Sequence, residues 1–574
     1  MNKYISLISI SLILSACQSL APENNSPAND TDPLPLTQTS STVTKTTDFS
    51  TDTLISLLTA EIAGQRDRFD IASKNYSQQA QITGDPGVAE RAFRIAEYLG
   101  EEQRALDNAL AWANAAPDSL EAQRSAAIQL AQAQRYEEAM QYMEKVLIAQ
   151  GDTQFDFLAL SAAQSDQKNI RALLQSFDHL LIKYPQNQQL VFSKAILLSQ
   201  DDRKADALTL LEKQSKKNAT AATILLRARL LSQLGRGEEA LPLLRRALED
   251  NPEDGRLRIT YARQFIELNR FEEGRAEFIE LLQQSPSDDD LRFSLALINM
   301  DLKAWREAQA YLEELILRGS HINAAQYNLG QVYEELNDTE QALNAYSAVF
   351  VGNNYLPAQQ RIITLLLNDG RLRESATHFN EQRSARPDVA IQLHLIEAEA
   401  LASNGHTQTA WVRINQALQD HPNNPSLLYT RAMVADKRDD LPQFEHDLRL
   451  IIEDDPNNAM ALNALGYTLA DRTDRLEEAR QLIEQAHELE PYDAAITDSL
   501  GWVYYRLGDL ATAERLLREA FDAFPDAEVA AHLGEVLWQQ NKQREARQVW
   551  NQALANQPND AVLLETIQRL TNKD

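Results

Sequence analysis

The sequence predicts an all-α solenoid, a row of antiparallel helix pairs in which each pair packs only on its neighbours. Three observations carry that prediction. Small residues recur in two phased columns about 34 residues apart. Near the C-terminus Leu465-Gly466-Tyr467, Leu500-Gly501-Trp502 and Leu533-Gly534-Glu535 each precede an alanine, Ala479, Ala513 and Ala546. A proline closes each copy, at Pro491, Pro525 and Pro558. The chain has 574 residues, 44% apolar and 24% charged, which exceeds one ordinary globular domain but suits a row whose length is set by repeat number. Asn or Asp follows several of the prolines, as in Pro456-Asn457-Asn458 and Pro558-Asn559-Asp560, so one helix ends and the next is capped at the same place.

In chain order, the first segment has a basic start at Lys3 and an apolar run from Ile5 to Leu14, too short to remain as a membrane-spanning helix. Leu14-Ser15-Ala16-Cys17 follows at once, and Cys17 is the sole cysteine, so no intrachain disulfide forms. Small residues ahead of a cysteine at the end of a secretory signal resemble the bacterial lipobox. That resemblance implies a signal peptide over 1–16 and a lipidated Cys17 as the mature N-terminus; the plainer alternative is a secretory signal with an incidental cysteine. Several acyl chains on one residue exceed the marginal anchoring of a single chain. Gln18, rather than Asp, resembles an outer-membrane address.

Residues 17–50 read as the lipidated cysteine and a polar tether of Ser, Thr, Asn, Asp and Pro, with no aromatic residue before Phe49. About 31 flexible residues reach on the order of 30 Å, enough to hold a folded body clear of a bilayer.

Residues 51–574 read as the helical array. Backwards from Gly466 the small column runs Ala432, Ala398, Thr364, Gly330, Ala296, Ala262, Ala228, Ala195, Ser161 and Ala127. The second column runs Ala139, Leu173, Ala207, Ala240, Gly274, Ala308, Ala342, Ala376, Ala410 and Phe444. Small residues at fixed points let helix axes approach to the short end of the ~8–10 Å range. Ahead of Ala127 the register weakens to Phe93 and Ala60, with Gly84-Asp85-Pro86 as a turn. The count is about fifteen helix pairs from Leu54 onward. Arg318-Gly319-Ser320 and the stretch from Val351 to Pro357 are the looser turns, and Ala561 to Leu570 reads as a solvating cap helix.

Leu-Gly, then Ala, then Pro at this spacing resembles the tetratricopeptide repeat (TPR). The resemblance implies a right-handed superhelix, a concave face lined by the first helix of each pair, and a protein-binding scaffold. The Lys and Asn clamp that related chaperone-binding repeats use for a terminal carboxylate is missing, which argues against chaperone docking.

Composition narrows the function further. A net charge of −29 disfavours non-specific nucleic-acid binding and gives no attraction to anionic lipid. There is no nucleophilic cysteine beyond Cys17, no Gly-rich phosphate loop and no His-Glu-x-x-His pair. His378, His394, His406, His421 and His446 crowd one region but fall at unrelated repeat positions, and the acidic runs Asp288-Asp289-Asp290 and Glu453-Asp454-Asp455 sit at junctions as caps. The expectation is therefore a non-enzyme with no cofactor and no metal site.

Positions three before, and one and four after, the small residue select a candidate peptide-binding groove in the C-terminal repeats: Tyr429, Met433, Tyr467, Trp502, Tyr505 and Trp538. Spaced by whole repeats, they suit an extended or helical peptide held by aromatic anchors. The alternative is that Tyr467 and Trp502 fill the next interhelical seam. Upstream the lining is more basic, with Arg229, Arg256, Ile259, Arg263, Ile266 and Phe293.

Lipobox, tether, long array and size together are similar to the pseudomonad outer-membrane lipoprotein family that partners the periplasmic carboxyl-terminal processing protease. That resemblance implies an outer-membrane lipoprotein with its body in the periplasm, activating the protease and presenting peptidoglycan (murein) hydrolases to it. No partner-contact motif of that family can be matched here. The alternative is an assembly or pilotin-like component of an envelope export or outer-membrane biogenesis machine.

Overall fold

The computed structural model describes residues 49–149, 155–162, 167–213 and 219–571. The signal segment, Cys17 and nearly all of the tether lie outside the described residues. Among the described residues there are 31 α-helices and no strand. Taken two by two they give fifteen pairs and one last helix, the expected all-α TPR-type solenoid.

The described residues divide into two compact units, the first ending at Tyr311 and the second beginning at Leu312. The first unit starts with the pair Thr51–Gly64 and Phe69–Thr83 and includes Gly255–Glu267 with Phe271–Gln284. The second includes pairs from Ile322–Glu335 with Thr339–Ser347 to Ala527–Gln539 with Gln543–Asn556, then the final helix Ala561–Thr571.

Local chemistry explains where the helices begin. First helices are capped by short polar side chains that accept orphan backbone N–H groups: Asp85 from Gly87 and Val88, Asn187 from Leu190, Asn424 from Leu427, Asn458 from Ala461 and Asp493 from Ile496. The acidic run at Asp288 is such a cap, accepting from the N–H of Leu291. The turn inside a pair repeatedly needs a left-handed residue, for example Asn269 (φ 58°), Asn541 (φ 62°) and Gly508 (φ 90°). Several second helices then open on Arg-x-x-Glu, with Arg236–Glu239, Arg270–Glu273, Arg371–Glu374 and Arg475–Glu478 ion-paired across the first turn.

The two small columns are buried along most of the row; Ala127, Ala195, Ala262, Ala432, Ala139, Ala207, Ala410 and Ala513 are fully enclosed. Three assignments need correcting by one residue. Thr364 and Ala376 are half-buried, and Ile363 and Ser375 take the enclosed positions. The preceding helix Thr339–Ser347 stops short and the chain re-enters a helix at Tyr355, so this pair sits one residue early. The 3-10 turn Pro387–Val389 restores the phase before Ala390. Ser161 is likewise half-buried, beside the enclosed Ala162.

The columns are small because the partner helix fills the space. A Cβ on Gly466 would stand 2.5 Å from Ile483 Cγ1, and one on Gly501 would stand 2.6 Å from Leu517 Cγ. One on Gly534 would land on the indole nitrogen of Trp550. Each glycine is thus a notch for a large side chain from the second helix of its own pair, at interior packing density.

Candidate functional site

The first helices Ala459–Arg472, Ala494–Arg506 and Ala527–Gln539 bring three candidate groove residues together. Trp502 is 8% exposed and lies in the core of the second unit, so it fills the interhelical seam. Its ring stacks on His532 at 4.2 Å between centroids with 23° between planes, and it also meets Tyr505 at 5.0 Å. Tyr467 is half-buried, 6.0 Å from the His532 ring.

The polar atoms of this cluster form a chain across three pairs. His532 Nδ1 lies 2.9 Å from a carboxylate oxygen of Asp498, and both side chains are buried. On the other side Nε2 lies 3.4 Å from the hydroxyl of Tyr467, which donates to Glu528 at 2.9 Å. Because the tyrosine proton goes to Glu528, its oxygen is left to accept, and the chain is complete when both ring nitrogens of His532 carry protons. Burial by itself pushes the His532 pKa down, but the carboxylates of Asp498, Glu528 and Asp471 outweigh it and hold the pKa above the ordinary histidine value. Burial, reinforced by Glu528, pushes the Tyr467 phenol well above its usual range, so it stays a neutral donor.

A second polar group continues the wall. The Tyr505 hydroxyl donates to Glu535 at 3.0 Å, and Arg569 from the last helix donates to the same carboxylate at 3.0 Å. Burial and Glu535 raise the Tyr505 pKa.

The other candidates stand apart. Tyr429 and Met433 are half-buried against the same core cluster as Tyr467 and Tyr505. Trp538 is half-buried and stacks on Trp550 at 5.5 Å, with the Arg547 guanidinium 5.4 Å from its ring centre. In the upstream lining Arg229 is exposed and Arg256 pairs with Asp254 at 3.3 Å, whereas Ile266 and Phe293 are buried. The Nε and Nη2 atoms of Arg263 are enclosed without an acceptor.

Sequence reasoning missed His532, Asp498, Glu528, Glu535 and Arg569. Asp498 and Glu535 occupy the three-before and one-after positions of their repeats, so the column rule did point at them. As carboxylates they offer no aromatic anchor, so the aromatic pattern does not pick them out. His532 sits one place off those positions, and nothing in the sequence pairs it with Asp498.

The clustered histidines show no shared ligand geometry. His378 meets Gln359 at 2.6 Å, and burial, with Arg383 and His421 adding, lowers His394 to about 4. Among the described residues no group of three or more His, Cys, Asp or Glu side chains is placed to hold a metal ion. No described helix is long and apolar enough to cross a membrane.

Stacked helix pairs with small-residue notches and a partly exposed aromatic face define the class, a helical-repeat protein built for protein–protein interaction. The chain belongs to the tetratricopeptide-repeat proteins. Matches to the tetratricopeptide repeat family cover residues 231–288, 300–351 and 499–561. A TPR repeat-containing protein of Pseudomonas aeruginosa is 60% identical over 538 residues, spanning 93% of this chain and 90% of that protein. Bacteriophage adsorption protein A of Escherichia coli K12 is 33% identical over 114 residues, 20% of this chain and 11% of that protein. Among solved structures, a thermophilic TPR protein of Thermus thermophilus is 22% identical, with a TM-score of 0.29, covering 32% of this chain and 97% of its own.

Proposed function

We propose that this protein is a membrane-tethered, non-enzymatic adaptor that gathers periplasmic proteins, activating a carboxyl-terminal processing protease and presenting peptidoglycan hydrolases to it. The observation that carries the scaffold part is the row of first helices with half-buried Tyr429, Met433, Tyr467, Tyr505 and Trp538, a partly exposed aromatic and apolar face suited to a peptide partner. The protease role draws support from the lipobox-like Leu14-Ser15-Ala16-Cys17 and from a 60%-identical relative in a pseudomonad. Holding protease and substrate on one frame turns a bimolecular encounter into an intramolecular one.

The test is a pull-down from envelope extract with the helical array from Thr51 to Asp574 as bait, read by mass spectrometry. A carboxyl-terminal processing protease recovered with murein hydrolases is the expected result. An outer-membrane barrel or secretin without protease would replace this reading with an assembly factor. Metabolic labelling with a fatty acid checks the anchor separately, and a Cys17→Ser chain should take up none.

A further inference from the structure

The chain of contacts through His532 crosses three successive pairs, beside backbone contacts such as those of the Arg506 guanidinium with the Ala470 and Asp471 carbonyls. His532 belongs to Ala527–Gln539, Asp498 and Trp502 to Ala494–Arg506, and Tyr467 to Ala459–Arg472. One imidazole therefore links three successive first helices, including two that are not consecutive pairs. The protons required are those of the imidazolium: Nδ1–H toward Asp498 and Nε2–H toward the Tyr467 oxygen, whose own proton serves Glu528. The Trp502 face lies against the same ring, a contact that gains strength when the ring is charged.

We propose that His532 is a pH-sensitive brace: as the imidazolium it ties these three helices together through Asp498 and Tyr467, and on losing its proton it gives up its contact with Tyr467, leaving that candidate groove residue held by Glu528 alone. Neutral imidazole with its proton on Nδ1 keeps Asp498 but offers Tyr467 only a lone pair, while the tyrosine proton is committed to Glu528. Ala459–Arg472 is then tied to Ala527–Gln539 by the Tyr467–Glu528 hydrogen bond alone, one contact in place of two.

The surrounding charges favour this behaviour. Asp498 faces His532 from the preceding first helix, Glu528 from its own helix and Asp471 from Ala459–Arg472. The last helix contributes Arg569, which Glu535 engages. Leu510–Ala523 and Gln543–Asn556 contribute Leu517, Phe521, Val549 and Trp550 to the apolar cluster against which Tyr505 packs. The charged side chains there pair among themselves, Glu514 with Arg518 and Lys542, and Arg518 with Glu545. The carboxylates raise the folded-state pKa above the unfolded value near ~6.5. The brace therefore contributes its full stabilisation below that unfolded value and loses it as pH rises through the folded-state pKa.

The consequence for the groove rests on the scaffold reading, but the test needs no partner, so the two can fail separately. Histidine-selective NMR of the Thr51 to Asp574 array follows nine histidines, with the His532 signal assigned by its loss in His532→Gln. Hydrogen exchange by mass spectrometry follows 459–472 and 527–539 over the same pH range. The expected result is a His532 midpoint above that of ordinary histidine, with exchange in 459–472, corrected for intrinsic pH dependence, accelerating through the same midpoint. Glu528→Gln, at an exposed position, should lower that midpoint. A midpoint at or below the ordinary value, corrected exchange in 459–472 that ignores it, or no shift in Glu528→Gln would each overturn the brace.

Discussion

Replacing Trp502 with alanine is expected to cost about 3–5 kcal/mol, the range for deleting a buried Trp or Phe side chain. At 8% exposure the indole contacts both His532 and Tyr505, and its removal opens the seam between these pairs while stripping one face from the imidazole. Because a repeat array unfolds by neighbour interactions, the loss should show as a C-terminal transition moving to lower urea ahead of the rest of the chain. Circular dichroism with fluorescence at the remaining tryptophans measures it. A midpoint within error of the parent would mean that Trp502 contributes contact surface rather than core. Tyr429→Ala and Met433→Ala, at half-buried positions, should separate capture from folding better, lowering partner retention with a smaller stability change.

Gly534→Ala is expected to destabilise by about 1–3 kcal/mol, the usual cost of overpacking. Helix propensity alone predicts the opposite sign, since alanine exceeds glycine by about 1 kcal/mol in a helix interior. Sterics decide the sign here. The new Cβ would coincide with the Trp550 indole, itself 2% exposed and backed by Val536, Ala546 and Val549, so the ring has nowhere to go. A control at Gly255, where a Cβ meets nothing within 4 Å, should stay within about 0.5 kcal/mol of the parent. A double-mutant cycle with Trp550→Leu should recover part of the Gly534→Ala cost, because the clash needs both partners. Strict additivity would refute the notch.

Most of the fold was legible because its determinants are local and repeat. Capping residues such as Asp85, Asn458 and Asp560 announce helix starts, and small residues at fixed spacing announce close helix pairs. The count failed at Thr364 and Ala376 for a physical reason: a column read by constant step has no access to a helix that stops early at Ser347 or to a compensating turn at Pro387–Val389.

The site was legible only in part. Aromatic spacing picked out Tyr467, Trp502 and Tyr505, but spacing cannot say which of them a neighbouring helix covers. By itself the sequence determined the class of fold, the number of pairs, the faces of the helices and the excess of negative charge, because each follows from residue type and period. Only the tertiary structure decided that Trp502 lies inside, that Asp498 and His532 share a buried contact, and that Tyr467 reaches Glu528 across an intervening pair. Those facts depend on how first helices one and two repeats apart converge, and that distance is set by the side chains filling each seam rather than by any one repeat.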